Sequence, residues 1–397
     1  MLTSRERVLC ALDHQEPDRV PIFFGTSGVT TMLSPAYERL KTHLGIRKPA
    51  RLISHSFQYP LLDEEVMRRF GSDGRPLLAG PAPSVHRRTI SAAAFVDEWG
   101  IEWRRAPDSL YFEEAHAPLR EATLDDLERY PWPDLAHPSR FAGLAAEARR
   151  IHEETDCAVV ALSGASLFEQ IQLLRGMDTF LTDLAANRDF AQALIARVAG
   201  LMRASLAALV EAAGEHIDVI VMGDDLGTQN APIISPRMYR TFFKPRHAEL
   251  IATIKAHSPA KVFFHSDGNI YPLLGDLIDV GVDLLNPVQV SAGDMGDTAR
   301  LKRQFGDRLS FCGAIDTGWV LPHGTPDDVR REVRQRVADL APGGGYILAS
   351  VHCIQPDVPL ENVFAMFDEA ASAGRYPLQN GNSYNSWQLC ALGAIPC

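Results

Sequence analysis

The chain has 397 residues, 46% of them hydrophobic, which is enough for one enlarged α/β domain or two to three ordinary ones. Its 39 basic and 50 acidic residues give a net charge of −11, spread along the chain with no basic block, so nucleic acid and anionic membrane surfaces are excluded as expected partners. The amino terminus (MLTSRERVLCALDHQEPDRVP) is charged where a secretory leader is apolar, and no run reads as the roughly 20 apolar residues of a spanning helix, so a cytoplasmic location is expected.

Residues 3–12 have helical periodicity, and the short apolar run 20–24 (VPIFF) reads as a first barrel strand with residues 25–28 (GTSG) as its mouth loop. Residues 29–139 read as an elaboration, with a helix over 61–70 and antiparallel hairpins over 89–119, where aromatic and polar residues alternate. Beyond the proline-marked stretch 130–138 come a helix ending near Glu154, a strand over 158–162 and the loop 163–169 (SGASLFE). Long helices are predicted over 190–213 and 236–256.

Five further apolar runs follow: 216–225 (HIDVIVMGDD), 261–267 (KVFFHSD), 281–289 (GVDLLNPVQ), 308–316 (RLSFCGAID) and 344–353 (GGYILASVHC). Each ends in polar or acidic residues. A buried parallel strand is a continuous aliphatic run, and its carboxyl end is where a barrel gathers its chemistry. The alternation therefore predicts one α/β unit, a (β/α)8 TIM barrel over residues 1–377, with seven strands identified and the eighth unassigned. Residues 378–397 lack caps, charge and periodicity and read as a tail.

In an extended backbone, residues two apart face the same way, so His265 and Asp267 can present an imidazole and a carboxylate to one point, for a metal or as a proton-transfer pair. The alternative is that Asp267 caps a helix beginning near Asn269. His352 ends a later strand, and His265, Asp267 and His352 together could form a three-ligand metal site with an open fourth position. Cys353 would face the opposite way. Unless a loop turns there and makes it a ligand in place of His352 or Asp267, it reads as a small buried thiol, like most of the six cysteines, which include no CxxC pair.

Asp224 and Asp225, in one loop with Gln229, are costly to crowd unless one meets a cation, a substrate donor or backbone amides. Asp316 has a similar strand-end position, and Asn286, Gln289, Ser163 and Gln355 are candidate substrate-side hydrogen-bonding groups, each of which could equally bond loop backbone. Residues 343–345 (GGG) precede their strand, and no GxGxxG or GxxxxGK[ST] occurs, so nucleotide phosphate binding is unsupported.

The segments DDLGTQ, ISPRMYRTFFKPRH, KVFFHSDGNIYPLL, GVDLLNPVQVSA, LKRQFGDRLSFCGAID and LAPGGGYILASVHCIQPDVPLENVFAMFD resemble the uroporphyrinogen decarboxylase superfamily, and RERVLCALDHQEPDRVPI and DEEVMRRFGSD fit it more thinly. The resemblance implies a distorted (β/α)8 barrel and an enzyme, either a decarboxylase or a zinc-dependent methyltransferase that works with corrinoid proteins. Where the decarboxylase has an arginine-rich motif of the kind RPVWxMRQAGR, this chain has RVPIFFGTSGVTT, so porphyrinogen decarboxylation is not expected. The methyltransferase branch carries His-x-Cys and a later cysteine. Here the first pair is His265-x-Asp267 and His352 stands at the later position, so both thiolates are replaced.

The expected cofactor is accordingly a divalent metal, zinc first, with iron or manganese admitted by the harder donor set. The expected activity is metal-dependent methyl transfer on a small methylated compound or thiol, with Asp224 and Gln229 orienting substrate and Asp316 or Asn286 completing its hydrogen bonds. A corrinoid would arrive on a separate protein, because the chain has no DxHxxG signature. Two alternatives are a decarboxylase or lyase of a small carboxylate, using Arg87, Arg88 or Arg237 as the cation, and a non-catalytic binding barrel. A homodimer is the oligomeric expectation.

Overall fold

The computed structural model describes residues 1–81 and 88–378; the tail from residue 379 onward and Arg87 lie outside the described residues. Seven parallel strands pair in sequence order: β1 (Gly74–Leu78), β2 (Ala158–Leu162), β3 (Val219–Gly223), β4 (Lys261–His265), β5 (Leu284–Asn286), β6 (Ser310–Ile315) and β7 (Tyr346–Ser350). The run 20–24 lies between the two edges of this curled sheet. Ile22 forms a parallel bridge with Leu348 of β7, and its carbonyl accepts from the Asp73 amide at 2.8 Å, directly before β1. The result is the distorted TIM barrel that the strand pattern and the resemblance predict.

The unassigned eighth strand is thus β1, inside the segment read as elaboration. Its sequence, GRPLL, begins with glycine and carries Arg75 and Pro76, so neither apolar continuity nor strand propensity marks it. Proline is tolerated there because β1 ladders with β2 alone. The rest of the elaboration holds a hairpin (Arg51–Ser54 with Tyr59–Leu61) and a four-stranded antiparallel sheet (Arg88–Ser91, Ala94–Val96, Glu102–Arg104, Glu113–His116).

Inward-facing residues of the barrel, among them Phe23, Val160, Val219, Phe263, Leu284, Cys312 and Ile347, form a core of their own, closed at the amino end by Val8 and Leu12 of helix α1 (Ser4–Leu12). Strand alternation carries the same face two residues on, from Phe263 to His265 and from Leu284 to Asn286. Apolar packing below therefore determines which polar groups emerge at the mouth. The outward faces, including Ile220, Met222 and Phe264, join a larger core with the helices.

The closing seam is fixed by charge. Asp73 is fully buried and accepts from Arg7 Nη1 at 2.7 Å, from Arg19 Nη1 and Nη2 at 2.8 Å, and from the Ile22 amide at 2.8 Å. One carboxylate thereby ties the α1 plug, run 20–24 and β1 together.

Three expectations on helices are corrected. The stretch 61–70 is helical only over Glu64–Arg69. The stretch 236–256 is two helices, Pro236–Phe242 and Lys244–His257, broken at Phe243, where Pro245 in the next first turn cannot continue the earlier hydrogen bonding. Segment Arg188–His216 is long and apolar enough to cross a membrane by length and composition, against the expectation that no run is. In the fold its helix, Arg188–Ala213, buries Leu194, Val198, Met202, Leu206 and Leu209 in the outer core.

Candidate metal centre at the barrel mouth

His265 ends β4 opposite Gly223 of β3, where a Cβ would stand 2.4 Å from the His265 carbonyl oxygen and 2.8 Å from its Cβ. Only glycine lets the two strand ends approach this closely. The ring Nδ1 lies 2.7 Å from Asn286 Oδ1 across the β4–β5 register. Asn286 Nδ2 donates to the Cys312 carbonyl at 3.3 Å, which fixes the amide's orientation. Because an amide oxygen only accepts, His265 Nδ1 is the donor and Nε2 is left free to bind.

His265 Nε2 is 3.7 Å from Asp267 Oδ2, and His352 Nε2 is 4.0 Å from that same oxygen. The three ligand atoms all lie within 4.8 Å of one another. Asp267 Oδ1 is buried with no hydrogen-bond partner among the described residues, a cost that a cation would relieve. Tetrahedral zinc with bonds of about 2.0–2.1 Å separates its ligand atoms by roughly 3.4 Å. Closing to that spacing takes at most roughly 1.4 Å, shared between two side chains, so the residues present fit a metal with two imidazoles and one carboxylate.

The expected alternative, Asp267 as a helix cap, is not what the loop contains: Asn269 Oδ1 accepts from the Tyr271 amide at 3.3 Å instead. Asp267 is aimed by its backbone. Its amide donates to Asp225 Oδ1 at 2.8 Å, and the next amide, of Gly268, donates to Gln289 Oε1 at 2.7 Å. Gly268 has φ of +86°, and a Cβ there would meet the Gly227 carbonyl carbon at 2.3 Å, so the loops after β3 and β4 touch backbone to backbone.

Burial works against a charged His265, but Asp267 and Asp225 outweigh it and hold the ring above the usual imidazole range. In His352 burial prevails, assisted by His265, and its pKa is lowered. Sequence reasoning passed over Glu169, on helix α2 (Leu167–Arg175) after β2. Burial, then the Asp225 charge, pushes its carboxyl up to about 8. It accepts from Ser166 Oγ.

Glu169 gives a pH prediction. An unfolded glutamate loses its proton near pH 4.3, whereas the folded one keeps it to about 8. Wild-type stability should therefore fall as pH rises through that window. In metal-free protein, Glu169→Gln should be close to neutral at pH 4 and stabilising by about 1–3 kcal/mol at pH 8, a value discounted for partial solvation. Thermal melts of both proteins across the window check this, and a pH-independent difference would contradict it.

The structure places the other candidates as follows. Asp225 is beside the cluster, 3.7 Å from His265 Nε2. Asp224 is fully buried, accepting from the Phe168 amide at 2.6 Å at the start of α2 and lying 2.7 Å from His247 Nε2, a histidine with no signal in the sequence. Asp316 accepts from the amides of Gly318, Trp319 and Val320. Ser163 donates to the Val221 carbonyl at 2.7 Å, and Gln229 is an exposed loop residue.

Gln355 accepts from Tyr111 Oη at 2.8 Å and donates to Cys353 Sγ at 3.3 Å. That sulfur lies 3.0 Å from His352 Nδ1 and outside the three-ligand group. Burial pushes its thiol up to about 12 in the metal-free protein. Tyr59, 6.5 Å from the His352 ring and stacked on Phe57, extends an aromatic wall from the hairpin.

A methyltransferase from Methanosarcina mazei shares the fold, with a TM-score of 0.63 at 20% identity over 94% of this chain and 99% of that one. Methylcobamide:CoM methyltransferase MtaA of Methanosarcina barkeri is 29% identical over 159 residues, 40% of this chain and 42% of that relative, so the match spans less than half of its length. The uroporphyrinogen decarboxylase of Legionella pneumophila (strain Corby) is 22% identical over 269 residues, 65% of this chain and 72% of the relative. These relatives are enzymes of two kinds, a methyltransferase and decarboxylases. The family model described as Uroporphyrinogen decarboxylase (URO-D) matches residues 110–373, about two thirds of the chain, and the protein belongs to that family.

Proposed function

We propose that this protein is a metal-dependent methyltransferase that works on a small methylated compound or thiol together with a separate corrinoid protein. The observation that carries the reading is the convergence of His265, Asp267 and His352, from two well-separated strand ends, at the barrel mouth. The local similarity to a methylcobamide methyltransferase supports it. A bound divalent metal, zinc first, would act as a Lewis acid on the heteroatom that carries or receives the methyl group.

In this reading the protein's own groups hold and shape the site. His265 and His352 present Nε2, and Asp267 presents Oδ2 within 4.0 Å of both. In the metal-free protein, burial, then the Asp225 charge, favours the protonated form of Glu169, which sets a carboxyl proton beside the cluster. Tyr59, Tyr111 and Gln355 wall the His352 side. Asp224 and Asp316, saturated by buried histidine and backbone amides, serve as framework instead of orienting substrate.

Decarboxylation of a small carboxylate needs a cation at the site. Arg88 and Arg237 are exposed, and among the described residues the ion pairs of Asp225 and Asp267 are with histidine. The assay is methyl transfer between cobalamin and a panel of small alcohols, ethers, thiols, thioethers and amines, followed by the absorbance of methylcobalamin in both directions. Zinc-loaded protein should transfer methyl groups with at least one compound, and chelation or His352→Ala should abolish it. Absence of transfer across the panel, together with metal-independent release of carbon dioxide from small carboxylates, would overturn the assignment.

A further inference from the structure

The segment 286–289 after β5 is conformationally unusual. Val288, β-branched and fully buried, has φ of +54°, a left-handed conformation that such residues avoid at a cost of order 1–3 kcal/mol. β6 is shaped to receive this turn. Gly313 has φ of +113°, and a Cβ there would meet the Pro287 carbonyl oxygen at 2.1 Å. Ala314, at φ of +71°, donates its amide to that same oxygen at 2.9 Å.

The turn after β5, at Val288, and strand β6, at Ala314, therefore carry backbone strain side by side. In a regular strand Asn286 and Val288 would share a face and Gln289 would point away. The left-handed turn instead brings the amides of Asn286 and Gln289, three residues apart, onto one short segment, residues 265–268. Asn286 Oδ1 accepts from His265 Nδ1 at 2.7 Å, and Gln289 Oε1 accepts from the amide of Gly268, next to Asp267, at 2.7 Å.

We infer that the turn 286–289 is the positioning element of the metal centre: Asn286 fixes the tautomer and orientation of His265, Gln289 fixes the loop that aims Asp267, and the strained Val288 backbone lets both reach. Neither amide contacts substrate on this account. Both act through ligands, as outer-shell partners of metal-bound histidines do. The inference rests on the metal-centre reading above.

The test uses full-length protein, zinc as the only ligand and two readouts. Nitrogen-15 shifts of the His265 ring in metal-free protein, at a pH where the ring is neutral, should show the Nδ1–H tautomer. In Asn286→Leu they should shift towards Nε2–H. Chelator competition should show zinc binding about 10–100-fold weaker in Asn286→Leu and in Gln289→Ala, with the second variant leaving the tautomer unchanged.

A tautomer that is unchanged in Asn286→Leu, or zinc affinities within threefold of wild type in both variants, would overturn the inference. Should Asn286→Leu fail to fold, the half-buried Gln289→Ala decides it on zinc affinity alone. If wild type itself binds no zinc, the metal-centre reading fails; if wild type binds and the variants match it, only the positioning role fails.

Discussion

Replacing His265 by alanine should leave a folded protein that no longer retains stoichiometric zinc through gel filtration. Outer-shell partners of metal ligands each contribute about 10–100-fold in affinity, so loss of one of only three ligands should exceed that, on the order of 10³-fold or about 4 kcal/mol. His352→Ala should have a similar effect. Asp267→Asn keeps the side-chain shape but removes the negative charge between the two imidazoles, so it should weaken binding by a smaller factor. Elemental analysis of proteins purified without chelator provides the measurement, and full zinc occupancy in His265→Ala would show that the ion is held elsewhere.

The second large effect is on stability. Asp73→Ala removes the buried acceptor shared by Arg7, Arg19 and the Ile22 amide at the barrel seam. Breaking a buried ion pair by deleting one partner costs about 3–5 kcal/mol, because the remaining charge stays uncompensated. Arg7 retains Asp18 at 2.7 Å, which places the expected loss towards the lower end. Urea unfolding should show it, and hydrogen exchange should rise first in α1 and residues 20–24, the parts that Asp73 ties to β1. A loss under 1 kcal/mol would mean that the apolar plug of Val8 and Leu12 holds the seam without help from charge.

How much of this was legible in the sequence depended on whether local pattern or tertiary context decides. The five carboxyl-half strands were visible because parallel strands buried on both faces are unbroken aliphatic runs, as in KVFF and YILAS. β1 was not, since Arg75 is neutralised by Glu64 and Pro76 by its edge position, neither of which a local pattern records. The pairing of His265 with Asp267 was readable from their two-residue spacing.

The uses of the remaining polar residues were not readable. Asp224 and Asp225 are adjacent and look equivalent, yet one is consumed by α2 and His247 while the other faces the cluster. His247 sits mid-helix with nothing in its neighbourhood to mark it. Glu169 could have been found as an acid in the first turn after a strand-end loop, but its raised pKa comes from burial and from Asp225, 56 residues away in sequence.

The central claim is that two imidazoles and one carboxylate, with no thiolate, hold a single cation at the barrel mouth. X-ray absorption at the zinc edge on loaded, full-length protein tests it most directly. Nitrogen and oxygen neighbours at about 2.0–2.1 Å and no sulfur shell are expected. A sulfur neighbour at about 2.3 Å would place Cys353 in the coordination sphere and contradict it.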